Sequence, residues 1–268
     1  MAVRPVYGNF HRPGSLAQLT RGRGWNSELV GFLLPLARRN YWFKDYDFEE
    51  QTINPDWTVA NSSGTSAADF AIQADIEDGN LKGDTGTSDN GSIVLRYDTA
   101  LFDANRNPGM EVGLKFDLVT DTPIVEIGFH DPATNEYAIN INDIDTPTLT
   151  SNGVTDTGFF CVEGDAAQTL KSAALVTKGT TDAVAKAIMG ASPGSMPFVI
   201  ATYSSILVQL GANKGFAIMD ENLGTAGRIA TGPDGGVLML PYVLVGTRVT
   251  TAVFPEIDYI RLWKERAW

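Results

Sequence analysis

A single cysteine, Cys161, leaves this chain unable to form an internal disulfide. Its neighbours, Gly158-Phe159-Phe160-Cys161-Val162, read as a buried strand, so the thiol is expected to be a core group rather than a nucleophile. Histidine is almost as scarce. His11 and His130 are the only two, which argues against a histidine-based zinc centre. Gly194-Ser195 sits in no Gly-x-Ser-x-Gly frame, and no Ser-His-Asp arrangement can be argued. No apolar run is long enough to span a bilayer, so no membrane partner is expected. The first residues lack a compact apolar stretch ahead of a small-residue cleavage site, so synthesis in a cytoplasm is expected.

What the chain does have is acid, unevenly placed. The net charge is −12 over 268 residues. Residues 1–44 hold seven basic side chains (Arg4, Arg12, Arg21, Arg23, Arg38, Arg39 and Lys44) against Glu28 alone, which leaves −18 for the remainder. An acidic body would repel phosphates, so nucleic acid is not expected as the main partner. The basic segment suits an acidic protein surface. Residues 1–24, with two prolines, four glycines and no sustained period, read as an extended arm. Residues 26–39 read as a short helix, with Asn26 or Ser27 as cap, Glu28 in the first turn and Arg38–Arg39 in the last. Leu29, Phe32, Leu33 and Leu36 share one face, and Pro35 would kink the helix or end it early. Such a face needs a surface to cover, either the body's own sheet or a neighbouring subunit.

From residue 41 onward the chain is strand-rich and punctuated by turns. Strands are expected at 41–49, 56–60, 68–76, 92–97, 110–119, 124–130, 136–142, 157–163, 169–177, 197–202, 205–210, 215–219, 236–240, 242–250 and 256–263. Asp89-Asn90-Gly91, Asn107-Pro108-Gly109 and Pro233-Asp234-Gly235-Gly236 are among the turn signals between them. One helix is expected in the body, from Asp182 to Met189, with Gly190 as its stop. In the closing strand, alternation puts Ile257, Tyr259, Arg261 and Trp263 on one side and Asp258, Ile260 and Leu262 on the other. A terminal strand this apolar must be paired, and the aromatic strand at 41–48 is its expected partner. The expectation is an all-β, two-sheet antiparallel β-sandwich over residues 41–268, preceded by a basic anchoring arm and short helix over residues 1–40.

Here a resemblance enters. Asp47-Phe48-Glu49 with Trp57-Thr58-Val59, and the closing Glu256 to Trp263, resemble the first and last strands of concanavalin A-like lectin/glucanase jelly rolls of the LamG type. Gly109 through Asn140 and Pro241 to Val245 resemble the long strands of that family. The resemblance spans residues 41–263 and implies the fold more than an activity. The family's glucanases carry Glu-x-Asp-x-x-Glu on one strand, and a retaining pair needs carboxyl groups about 5–5.5 Å apart. The nearest match, Glu256-Ile257-Asp258-Tyr259-Ile260-Arg261, has Arg261 in place of the third acid, so no catalytic residue and no enzyme activity are expected. Glu111 and Glu126 read as isolated acids near solvent. Asn140-Ile141-Asn142-Asp143-Ile144-Asp145 offers oxygens at alternate positions, but a solvated loop is the preferred reading, so no metal or other cofactor is expected. Tyr97, Tyr137 and Tyr203 are the candidate sugar platforms.

Together these readings lead to a non-enzymatic structural protein of a virus particle: a bacteriophage capsid decoration, cement or fibre-base protein. Arg4, Arg12, Arg21 and Arg23 would bind carboxylates of a capsid or other virion protein. Leu29, Phe32, Leu33 and Leu36 would bury against that partner. A homo-oligomer, with a trimer as one form, is expected from arm exchange. The alternative is a carbohydrate-binding module that attaches to a host surface glycan.

Overall fold

The computed structural model describes residues 41–48, 52–62, 69–73, 79–89, 91–117, 123–132, 153–163, 173–189, 198, 201–220, 226–247 and 250–266. Residues 1–40, with Arg4, Arg12, Arg21, Arg23, Leu29, Phe32, Leu33 and Leu36, lie outside them, as do the expected strand at 136–142, Tyr137, Asn140 to Asp145 and Ser195.

In chain order the strands are β1 (Tyr41–Tyr46), β2 (Trp57–Asn61), β3 (Asp69–Ile72), β4 (Leu81–Asp84), β5 (Ser92–Tyr97), β6 (Phe102–Asp103), β7 (Gly109–Phe116) and β8 (Pro123–His130). They continue with β9 (Thr157–Glu163), β10 (Ala173–Lys178), β11 (Ala185–Met189), β12 (Ser204–Gly211), β13 (Lys214–Met219), β14 (Ala226–Ile229), β15 (Leu238–Thr247) and β16 (Pro255–Glu265). One sheet runs β14-β13-β12-β7-β16-β4-β3, with β1 also on β16; the other runs β11-β10-β9-β8-β15-β5-β2, with β6 also on β15. We call them the terminal sheet and the inner-strand sheet. The all-β jelly-roll sandwich is therefore the architecture of the described residues.

The first and last strands close the terminal sheet as the aromatic pattern requires. Tyr41 faces Glu265 and Tyr46 faces Ile260 across an antiparallel ladder. Alternating apolar residues turn inward. From the terminal sheet come Met110, Val112, Leu114 and Phe116, with Ile206, Val208 and Leu210; from the other come Leu95, Ile127, Phe129, Phe160 and Val243, all in one buried cluster. An aromatic chain closes one rim. Tyr46 stacks edge-on with Trp57, Trp57 with Tyr97, Tyr97 with Phe102 and Phe102 with Trp42. Lys44 lies over the rings of Trp42, Tyr46 and Tyr97 and pairs with Asp56.

Four details depart from the sequence reading. Residues 185–189 form strand β11 rather than a helix: Lys186 faces Val176 and Ala187 faces Leu175, so pairing with β10 overrides an alanine-rich helical preference. The short strands β4 and β14 carry too few apolar residues to announce themselves. The two expected strands at 236–240 and 242–250 are one, because Pro241 sits where β15 changes partner from β6 at Met239 to β5 at Tyr242, where its missing N–H breaks no ladder. Finally, β16 bulges: its register on β7 shifts between Ile257 and Tyr259. The extra residue turns Ile257 into the core with Ile260 and Leu262 instead of onto the face of Tyr259, Arg261 and Trp263.

Candidate functional site: the outward sheet faces

Each sheet also has an outward face, and the chemistry-bearing side chains collect there. On the inner-strand sheet, strand parity turns Glu126, Gly128 and His130 of β8 outward, beside Tyr242 and Leu244 of β15 and Phe159 and Cys161 of β9. Outward is not exposed here, for Glu126 is 0% accessible and His130 and Tyr242 are each 1%. The expectation that Glu126 lies near solvent is overturned. Its carboxylate accepts a hydrogen bond from the Tyr242 hydroxyl at 3.1 Å. The His130 ring stands edge-on to Tyr242 with centroids 4.6 Å apart, and its Nδ1 donates to the Asp131 carbonyl. Burial holds the His130 imidazole below its ordinary pKa, against the opposing pull of that hydrogen bond. Cys161, the cross-strand neighbour of Glu126, is buried, as its setting predicts.

The terminal sheet presents a longer outward row. Glu111 of β7 is also buried, contrary to its expected exposure. It accepts from Ser205 Oγ at 2.9 Å and the Tyr259 hydroxyl at 3.2 Å, with Arg261 Nη1 at 3.8 Å. Arg261 also reaches Asp45 at 3.3 Å, and its guanidinium lies 4.3 Å from the centre of the Tyr259 ring. Burial, with the Glu111 charge second, pushes the Tyr259 hydroxyl up to about 12. Further along, Glu256 receives Lys115 at 2.5 Å, Asn80 Nδ2 at 3.2 Å and Lys82 at 3.4 Å. Lys82 bridges on to Asp117 at 2.9 Å, and that hydrogen bond holds the Asp117 carboxyl below the usual range.

Of the sugar-platform candidates, Tyr97 is core. Tyr203 is half-buried on the terminal sheet, and Lys115 Nζ lies 4.9 Å over its ring. Among the described residues, the half-exposed tyrosines Tyr203 and Tyr259 each carry a stacked cation. Trp57 is core, Trp42 packs against the same core, and Trp263 is buried in a separate cluster. Among the described residues, no group of three or more His, Cys, Asp or Glu is placed to hold a metal ion, and no helix is long and apolar enough to cross a membrane. The bond networks of Glu111 and Glu126 could not be read from sequence. Parity gives the direction of a side chain but not whether its sheet face is covered.

No protein-family model matches the chain, and no curated protein matches it in sequence. Solved structures match it in fold. A protein of unknown function from Shewanella oneidensis MR-1 is similar with a TM-score of 0.52 at 14% identity, over 93% of this chain and 99% of that one. The exoplasmic/lumenal domain of VIP36, in a Ca2+/Man3GlcNAc-bound form, is similar at 0.50 and 10% identity, over 84% and 89%. The catalytic domain of an endo-1,3-beta-glucanase (laminarinase) from Thermotoga petrophila RKU-1 is similar at 0.50 and 12% identity, over 85% and 99%. These likenesses show a fold shared with concanavalin A-like lectins and jelly-roll glycoside hydrolases.

Proposed function

We propose that this chain is a non-enzymatic structural protein of a virus particle, a bacteriophage capsid decoration, cement or fibre-base protein, held in place by its basic N-terminal segment. The observation that carries the non-enzymatic reading is the state of the outward carboxylates. Glu111, Glu126 and Glu256 are each buried and already engaged by side chains of the same chain. Hydrolysis of a glycosidic bond needs two convergent carboxyl groups facing an open cleft. The anchoring reading is supported by the division of charge, with seven basic residues in the first 44 on a chain of net −12. Arg4, Arg12, Arg21 and Arg23 make charge-assisted hydrogen bonds to carboxylates of a neighbouring virion protein or of the next copy, which gives a homo-oligomer such as a trimer. The test replaces these four arginines by glutamate in the full chain and measures incorporation into purified particles by sedimentation. Loss of incorporation with an unchanged melting transition is expected, and unchanged incorporation overturns the reading.

A second reading, attachment to a host surface glycan, is favoured by Tyr203 and Tyr259 on one sheet face beside Lys115, Arg261 and Asp258. The cations stacked on both rings count against it, because a sugar needs a free ring face. Specific binding on a glycan array, with or without calcium, would move the assignment to this reading. Turnover of laminarin would move it to a hydrolase.

A further inference from the structure

Lys115, Glu256 and Lys82 stand in one row across three strands, for Glu256 of β16 faces Lys115 of β7 on one side and Lys82 of β4 on the other. Asn80, two residues before Lys82, reaches the same carboxylate. The two lysines differ in setting. The Lys82 side chain is 35% exposed and is held by Asp117 at 2.9 Å, whereas the Lys115 side chain is 19% exposed. Asn80 and Glu256 are buried. One oxygen, Glu256 Oε2, receives both Lys115 Nζ at 2.5 Å and Asn80 Nδ2 at 3.2 Å. The amine and the amide nitrogen are therefore no further apart than those two contacts laid end to end. Tyr203 lies against both, with Lys115 Nζ 4.9 Å from its ring centre and its hydroxyl 3.4 Å from Asn80 Nδ2. The amide oxygen, Asn80 Oδ1, is buried with no hydrogen-bond partner among the described residues.

We propose that Lys115 and Asn80 join in an isopeptide bond, with Glu256 carrying the proton between them. That reaction needs an amine, a neutral amide and a carboxylate touching both, held together and shielded from water. The Lys115 ammonium gives a proton to Glu256, and the freed Nζ lone pair attacks Asn80 Cγ. Glu256 passes that proton to Nδ2, the Cγ–Nδ2 bond breaks and ammonia leaves. Nζ sheds its second proton to the carboxylate, and this proton goes out with the ammonia as ammonium. No oxidant or other reactant enters. Lys82, 3.4 Å from Glu256 Oε1, adds a cation beside the charge that develops on Oδ1. At rest the pair is charged: burial lowers the pKa of Lys115, but the hydrogen bond to Glu256 and the neighbouring negative charges outweigh it and raise the value overall. The neutral amine is the minor form, so the bond forms slowly, after folding. The product ties β7 to the start of β4 across β16, a covalent clasp within the terminal sheet. It does not depend on the virion reading.

The test is the intact mass of the full chain, denatured after prolonged incubation of the folded protein, followed by a protease digest. The expected mass is about 17 Da below that of the sequence, the loss of one ammonia, with a branched peptide joining Lys115 to Asn80. Lys115→Arg and Glu256→Gln should each keep the full sequence mass while still showing a cooperative melting transition. A wild-type chain at full mass overturns the proposal. So does a loss that persists in Lys115→Arg, because Asn-Gly sites such as Asn152-Gly153 shed ammonia as succinimides without any cross-link. A branch that starts from Lys82 overturns it as well. If a variant fails to fold, the digest of the wild-type chain decides alone, and absence of the Lys115–Asn80 branch overturns the proposal.

Discussion

Trp263 occupies the space that a side chain on Gly109 would need: a β-carbon built there collides with the indole. The two are direct partners across the β16–β7 ladder. The glycine is therefore fixed by a neighbour's volume rather than by its own backbone. Gly109→Ala should destabilise the fold by about 1–3 kcal/mol through overpacking. In denaturant unfolding, Trp263→Ala should absorb most of that cost in the double variant. Fully additive losses would mean that the indole is free to move aside.

Removing the hydroxyl of Tyr242 takes a donor from the buried Glu126 carboxylate. Tyr242→Phe should cost about 1–3 kcal/mol, the penalty for an under-satisfied buried group. Glu126→Gln in the same background should recover part of it, because an amide is cheaper to leave short of a donor than a carboxylate. If Tyr242→Phe is neutral by chemical denaturation, the hydroxyl is not a needed donor.

Stability should fall on acidification in two stages. His130 has a folded pKa below its ordinary 6.5, so below pH 6.5 the unfolded chain binds a proton that the folded chain refuses, and stability drops as pH falls. Asp56 and Asp117 have folded pKa values below 3.8, through hydrogen bonds from Lys44 and Lys82. Their contribution is present above 3.8 and is lost as pH falls through the lower folded values. His130→Gln should flatten the slope of stability between pH 6.5 and 5 while leaving the loss below pH 4. An unchanged slope would show that His130 can accept a proton in place.

The bulge in β16 makes opposite predictions for adjacent residues. Ile257→Ala should cost about 2–5 kcal/mol as a core truncation, whereas Asp258→Ala, at the half-exposed extra position, should cost at most about 1 kcal/mol. Equal effects in thermal melts would mean an unbroken alternation through the strand.

That bulge also marks the limit of what the sequence discloses. The strands expected at 110–119 and 205–210 correspond to β7 and β12, and the aromatic content of 41–48 and 256–263 was enough to pair β1 with β16. One inserted residue changes the phase, and nothing in Ile257-Asp258-Tyr259 distinguishes it from regular alternation. The Asp182 to Met189 segment misled because alanine and lysine favour a helix when no strand edge is offered, and β10 offers one. The outward carboxylates were placed on the right strands but in the wrong medium. Burial of Glu126 and Glu111 depends on what lies over the sheet, a long-range property with no local signature.

The register of β1 against β16 fixes how the molecule stands. Tyr41 faces Glu265, so the chain arrives at the sandwich and leaves it at one corner. From there β16 runs 11 residues to Pro255, about 35 Å at 3.3 Å per residue. The contact between Thr85 and Val253 lies at the opposite end of β16 from that corner. Tension applied to the chain just before Tyr41 would bear first on the Tyr41–Glu265 pair and peel β1 from β16 rung by rung, a mode that yields at lower load than sliding the two strands past each other.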